Sequence, residues 1–208
     1  MNIFLSASVP KVGRGNFSDD ANPFLIQLAV RELATTIMRS GKLIWGGHPS
    51  ITPMIWAVCE YLQVPYGEHV TLYQSRYFEE DFPEENGHFK NVVFVDSIDN
   101  SLESSLKEMR RRMLTEEQFD AGVFIGGMEG VLLEYELFKE HQPDARRLVI
   151  MAPGGAATQL GKQLNEEEVR CAYSTVDFAE LFESQFPTNF VPRPEPANPV
   201  RPRRPRRR

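Results

Sequence analysis

Cysteine and histidine are scarce. The 208 residues contain two cysteines, Cys59 and Cys171, and four histidines. None of them falls at metal-ligand spacing, and two isolated cysteines make no disulfide framework, so the sequence predicts no metal and a reducing, cytoplasmic compartment. No apolar run approaches the roughly 20 residues that span a bilayer. The N-terminus lacks the basic region, apolar core and cleavage site of a signal peptide. Membrane association is therefore not expected. No Gly-Lys-Ser/Thr closes any glycine turn, which excludes a Walker phosphate loop. No internal repeat is present.

Basic residues are also scarce, except at one end. The net charge of −6 combines 23 Lys and Arg with 29 Asp and Glu. Six of the arginines lie in "RPRRPRRR" (201–208). Removing them leaves 23 − 6 = 17 basic residues, a balance of −12. The body is acidic, so nucleic acid is not an expected partner of its surface. From residue 187 the chain is rich in proline and arginine and is expected to be extended or disordered.

Hydrophobic residues make up 41% of the chain, which is ordinary for a globular protein. Short apolar strands alternate with amphipathic helices. "NIFLSAS", "KLIWGG", "HVTLYQS", "NVVFVD", "AGVFIGG" and "RRLVIMAPGG" read as strands. Helices are expected from Asn22-Pro23 to the stop at Gly41, after "HPSIT", over "SLESSLKEMRRRML", over 130–140, and over about 176–186. Ser50 or Thr52 is the expected cap of the second, with Pro53 in its first turn. This order predicts an α/β, Rossmann-like three-layer sandwich: a mostly parallel central sheet with helices on both faces. Residues 1–186 form the expected ligand-binding domain, and 187–208 the tail.

In such sheets ligands sit beyond the carboxyl ends of the strands. Ser6 and Ser8 end the first strand. In "GGHPSITP", Gly46 and Gly47 permit close backbone approach, while Ser50, Thr52 and the next helix start offer donors to a phosphate. An ordinary capped turn accounts for the same residues, and His48 reads as a hydrogen-bond donor or a turn-packing group. Ser75 and Arg76 end the third strand. Gly126, Gly127, Met128, Glu129 and Gly130 make the "GGMEG" turn. Glu129 suits the helix dipole, but it would repel phosphate; two ribose hydroxyls are its natural partners. Glu134 lies five residues further on. Of the three arginines 110–112, at most one or two can face a site.

Together "IFLSASVP", "GGHPSITP", "LYQSRYF", "SLKEMRRRML", "GVFIGGMEGVLLEYELF" and "MAPGGAA" resemble the SLOG superfamily, the Rossmann-like group named for Smf/DprA and the lonely-guy proteins. The likeness covers about Asn2 to Ala157 and is nearest to the cluster 3 branch of bacterial conflict systems. It implies one of two activities. Some relatives hydrolyse N-glycosidic bonds of nucleotides; others sense nucleotide-derived signals such as a cyclic ADP-ribose isomer. The lonely-guy turn "PGGxGTxxE" differs here: Val131 stands where a hydroxyl belongs, and Glu134, the counterpart of the catalytic acid, is one residue further along. Arg110 best matches the family arginine. The resemblance therefore points first to a sensor that binds an NAD- or ADP-ribose-derived ligand in antiphage defence or stress signalling. It would require no cofactor and would act as a homo-oligomer or with an effector or TIR-type partner. The alternative is a phosphoribohydrolase or NAD-processing enzyme with Glu134 or Glu129 as its acid.

Overall fold

The computed structural model describes residues 1–165 and 168–187; the Pro/Arg-rich tail expected to be disordered lies outside them, except for Pro187. Seven parallel strands form one sheet in the order β4-β3-β2-β1-β5-β6-β7. They are β1 (Asn2–Ser8), β2 (Lys42–Gly46), β3 (Val70–Ser75), β4 (Val92–Val95), β5 (Ala121–Gly126), β6 (Arg146–Ile150) and β7 (Ala172–Tyr173). The helices are α1 (Pro23–Ile37), α2 (Thr52–Leu62), α3 (Tyr66–His69), α4 (Leu102–Glu116), α5 (Glu129–His141), α6 (Ala156–Gln163) and α7 (Phe178–Gln185). The expected α/β Rossmann-like fold is present.

Alternation along each strand builds two cores. Ile3 and Leu5 face one way and pack with Leu33 of α1, Ile55 of α2 and Phe182 of α7. Phe4 faces the other way, toward Met113 of α4, Phe138 of α5 and Leu160 of α6. Phe4 stacks on Phe138 with ring centroids 5.4 Å apart. The strands are apolar on both faces because helices cover both.

Three elements differ from the sequence reading. α3, only four residues long, α6 and β7 were not expected. The α6 segment is short and made largely of small and polar residues, and β7 has only two residues, too few for an alternation to show. The cap of α2 also differs. Its N-cap is Ile51, and no side chain caps it, because both candidate hydroxyls are engaged elsewhere. Asn22, by contrast, caps α1 by accepting from Leu25 N. Among the described residues no helix is long and apolar enough to cross a membrane.

Candidate functional site

From β1 the chain adds β2, β3 and β4 on one side; from β5 it adds β6 and β7 on the other. The carboxyl ends of β1 and β5 therefore flank the point where strand order reverses, the usual ligand crevice of open α/β sheets. Ser6 is in register with Phe124, and Ser8 with Gly126.

Three residues far apart in sequence meet there. Ser6 shares its strand face with Phe4, toward α4 and α5, and is 1% exposed. Its hydroxyl donates to Glu134 Oε2 at 2.6 Å. Arg110 Nε donates to Glu134 Oε1 at 3.0 Å. Both carboxylate oxygens are thus held, one from β1 and one from α4. The side chains of Arg110 and Glu134 are 12% and 15% exposed. That burial raises the strength of a charge-assisted bond and also the cost of leaving either charge alone. Gly130 lies one turn before Glu134. A Cβ there would stand 3.3 Å from Arg110 Nη2, so the bare backbone leaves room for the guanidinium.

The adjoining turn is tightly determined. Gly126 and Gly127 have φ of +60° and +80°. A Cβ on Gly126 would lie 2.6 Å from Ile26 Cδ1, and one on Gly127 would lie 2.1 Å from Val131 Cγ2. Backbone conformation and protein packing already require both glycines. Met128 is the N-cap of α5, without a side-chain bond. Glu129 opens that helix and is exposed. Its Oε1 lies 3.4 Å from the Cβ position of Gly15, which places the β1–α1 loop beside it. That loop is pinned at three points. Phe17 is buried in the α4–α5 core, Asp20 Oδ1 accepts from Gly155 N at 3.0 Å, and Asn22 N donates to Pro153 O at 2.8 Å. Sequence reading took this segment only as a loop. Phe17 and Asp20 gave no signal, since their partners are distant in sequence.

The β2–α2 turn is arranged differently. Gly46 packs toward Met109, and a Cβ on Gly47 would collide with the buried Gln74. Ser50 Oγ accepts from Val9 N at 3.2 Å and bonds His48 Nδ1 at 2.8 Å. Ser50 N also donates to Nδ1, at 3.2 Å. Nδ1 is therefore an acceptor and the imidazole is neutral. Burial first, then the charge of Lys11, push the His48 pKa down to about 4. Thr52 is fully buried and accepts from Trp45 Nε1 at 3.3 Å. Ser50 also lines a groove of about 510 Å³ between α1 and α2, with Phe24, Leu28 and Met54. That groove lies on the other helical layer from Arg110 and Glu134.

Arg76 stands apart from the crevice. It pairs with Glu79 at 2.6 Å and Asp96 at 3.3 Å, and its guanidinium sits 4.9 Å from the centre of the Phe94 ring. Ser75 accepts from Tyr77 N and so caps the short turn that follows β3. Among the described residues no cluster of three or more His, Cys, Asp or Glu is placed to hold a metal ion.

No curated protein matches the chain. Among solved structures, the X-ray structure of TM1055 superposes with a TM-score of 0.56, at 13% identity, over 88% of this chain and 98% of that one. At that identity the likeness is one of fold. The model of the SLOG cluster3 family matches residues 16–186, a span that holds all seven strands except β1 and includes Arg110, Glu129 and Glu134. With the family comes a nucleotide-related binding or processing role, and the chain belongs to the SLOG cluster3 family.

Proposed function

We propose that the chain binds a ribose-containing nucleotide derivative of the NAD or ADP-ribose class at the switch-point crevice, as a sensor. The observation that carries this reading is the Ser6–Glu134–Arg110 set beside an exposed Glu129. Carboxylates pair with ribose hydroxyls, and a guanidinium offers a fork to phosphate. Here both chemistries lie within one side chain's reach of each other. Arg110 and Glu134 satisfy each other. A ligand with vicinal hydroxyls and a phosphate replaces that pair with bonds of both kinds. A role in defence or stress signalling through an effector partner or self-assembly follows from the family resemblance and belongs to the same proposal.

Mass spectrometry of small molecules released by heat from the purified protein tests it. A ribose nucleotide at near-stoichiometric yield is expected. If the protein releases none and also binds none of ADP-ribose, NAD or AMP, the reading fails.

One observation favours the second reading, hydrolysis of an N-glycosidic bond. Glu134 is a half-buried carboxylate oriented on both oxygens, the kind of preorganised charge that stabilises an oxocarbenium-like state. Incubation with AMP, CMP and NAD separates the two readings. Free base released at a turnover that Glu134→Gln abolishes would make the chain an enzyme.

A further inference from the structure

The β4 edge exposes an aromatic residue together with acids. Among the described residues β4 has no neighbour on its outer side. Phe94 on that strand is 41% exposed and stacks with Phe82 at 5.8 Å. Ile98 and Leu102, just beyond the strand, are 37% and 45% exposed. Proteins normally blunt such an edge or cover it. Exposed acids flank these apolar groups in sequence, Glu79, Glu80, Asp81 and Glu84 before β4 and Asp96 and Asp99 after it, and Glu79 and Asp96 meet at the Arg76 guanidinium over Phe94.

A second copy laid symmetrically on this edge would bring acid against acid, which is costly. These acids call for a cationic occupant. Arg76 shows the chemistry the surface accepts: its guanidinium lies over Phe94 while pairing with Glu79 and Asp96. Glu80, Asp81 and Glu84 are left by these pairs for further arginines.

The chain itself supplies such an occupant. Residues 188–208 contain seven arginines, one acid and the apolar residues Phe190, Val191 and Val200. Reach is sufficient. α7 ends beside β6, where Arg146 Nη2 donates to Gln185 O. β6 and β4 are five strand positions apart, about 24 Å at the usual spacing. Fourteen residues lead from Pro187 to Arg201, a contour length of about 43 Å at roughly 3.1 Å per residue.

We propose that the acidic, aromatic β4 edge is the docking surface for this chain's own Pro/Arg segment, residues 188–208. Arginines pair with the flanking acids and stack on Phe94, and the segment covers the open edge within one molecule. The proposal is independent of what the crevice binds.

Trypsin digestion of the full chain, followed by mass spectrometry of the C-terminal fragments, tests it. Three chains are compared at low salt: wild type, the triple variant Glu80→Gln/Asp81→Asn/Glu84→Gln, and Phe94→Ser. All four substituted positions are exposed, and circular dichroism checks that each chain folds. Cleavage after Arg203, Arg206 and Arg207, the tail arginines followed by another arginine, is expected to be about tenfold faster in the triple variant and about threefold faster in Phe94→Ser. In wild type it is expected to accelerate with salt and to be independent of protein concentration. Equal rates in wild type and the triple variant would overturn the proposal. Protection that grows with protein concentration would also overturn it, because the segment would then be docking on a neighbouring copy.

Discussion

The turn after β2 and the turn after β5 look alike in sequence: an apolar strand, two glycines, then polar residues opening a helix. They differ in the polar groups they leave exposed. After β2 the hydroxyls of Ser50 and Thr52 are taken by His48, Val9 and Trp45, all within the protein. After β5 the acids Glu129 and Glu134 stay at least partly open, and Glu134 is held by groups at the edge of a crevice, Ser6 and Arg110. Glycine and polar residue type are shared between a latch and a candidate site. What separates them is that the β5 turn leaves Glu129 exposed and holds Glu134 with a charged partner, and that depends on residues distant in sequence.

The largest effect is expected at the backbone of the β5 turn. Gly127→Ala forces a Cβ into Val131 at positive φ. It should lower unfolding free energy by about 2–4 kcal/mol in denaturant titration. Loss of less than about 1 kcal/mol would show that the turn adapts, and the contrast of rigid frame and open acids would weaken.

Arg110→Met separates the two regions by function. It removes the cation from a partly buried pair and should weaken ADP-ribose binding tenfold or more in calorimetry, about 1.5–3 kcal/mol. Ser50→Ala, in the latch, should leave that affinity within about twofold. Equal losses in both variants would merge the two turns into one site.

Thr52→Val gives the converse. Trp45 Nε1 loses its buried acceptor, which should cost about 1–2 kcal/mol of stability. Affinity measured on the folded protein should not change.

The smallest effect sharpens the latch alone. His48 is neutral in the folded chain, with its pKa lowered from 6.5 to about 4 by burial. A depressed histidine pKa means the unfolded chain takes up the proton first. The stability contributed by the neutral imidazole is complete above about pH 6.5 and is lost as pH falls toward 4. Urea midpoints should decline across that window in wild type and decline less in His48→Gln. Identical slopes would remove His48 from the latch.

Much of the fold was legible because helix and strand periods are local signals. β1 to β6, the helices α1, α2, α4 and α5 and the Asn22 cap followed from alternation, spacing and capping chemistry. β7 was not legible, since two residues carry no period, and α6 was not, since Ala156, Ala157 and Gly161 pack closely without a large apolar stripe. The residues of the crevice could be named, but their partnerships could not. Ser6 and Glu134 are 128 positions apart, and nothing in either neighbourhood specifies the other. The same limit hid the Thr52–Trp45 bond, seven residues apart yet dependent on how α2 lies against β2.

The central claim is that the crevice at the β1–β5 switch point, and not the β2–α2 turn, recognises a ribose nucleotide through Glu134. Calorimetric titration of ADP-ribose into wild type, Glu134→Gln and Ser50→Ala measures it directly. The account predicts one site per chain, at least tenfold weaker in Glu134→Gln and unchanged in Ser50→Ala. Equal affinity in wild type and Glu134→Gln, or a loss confined to Ser50→Ala, would contradict it.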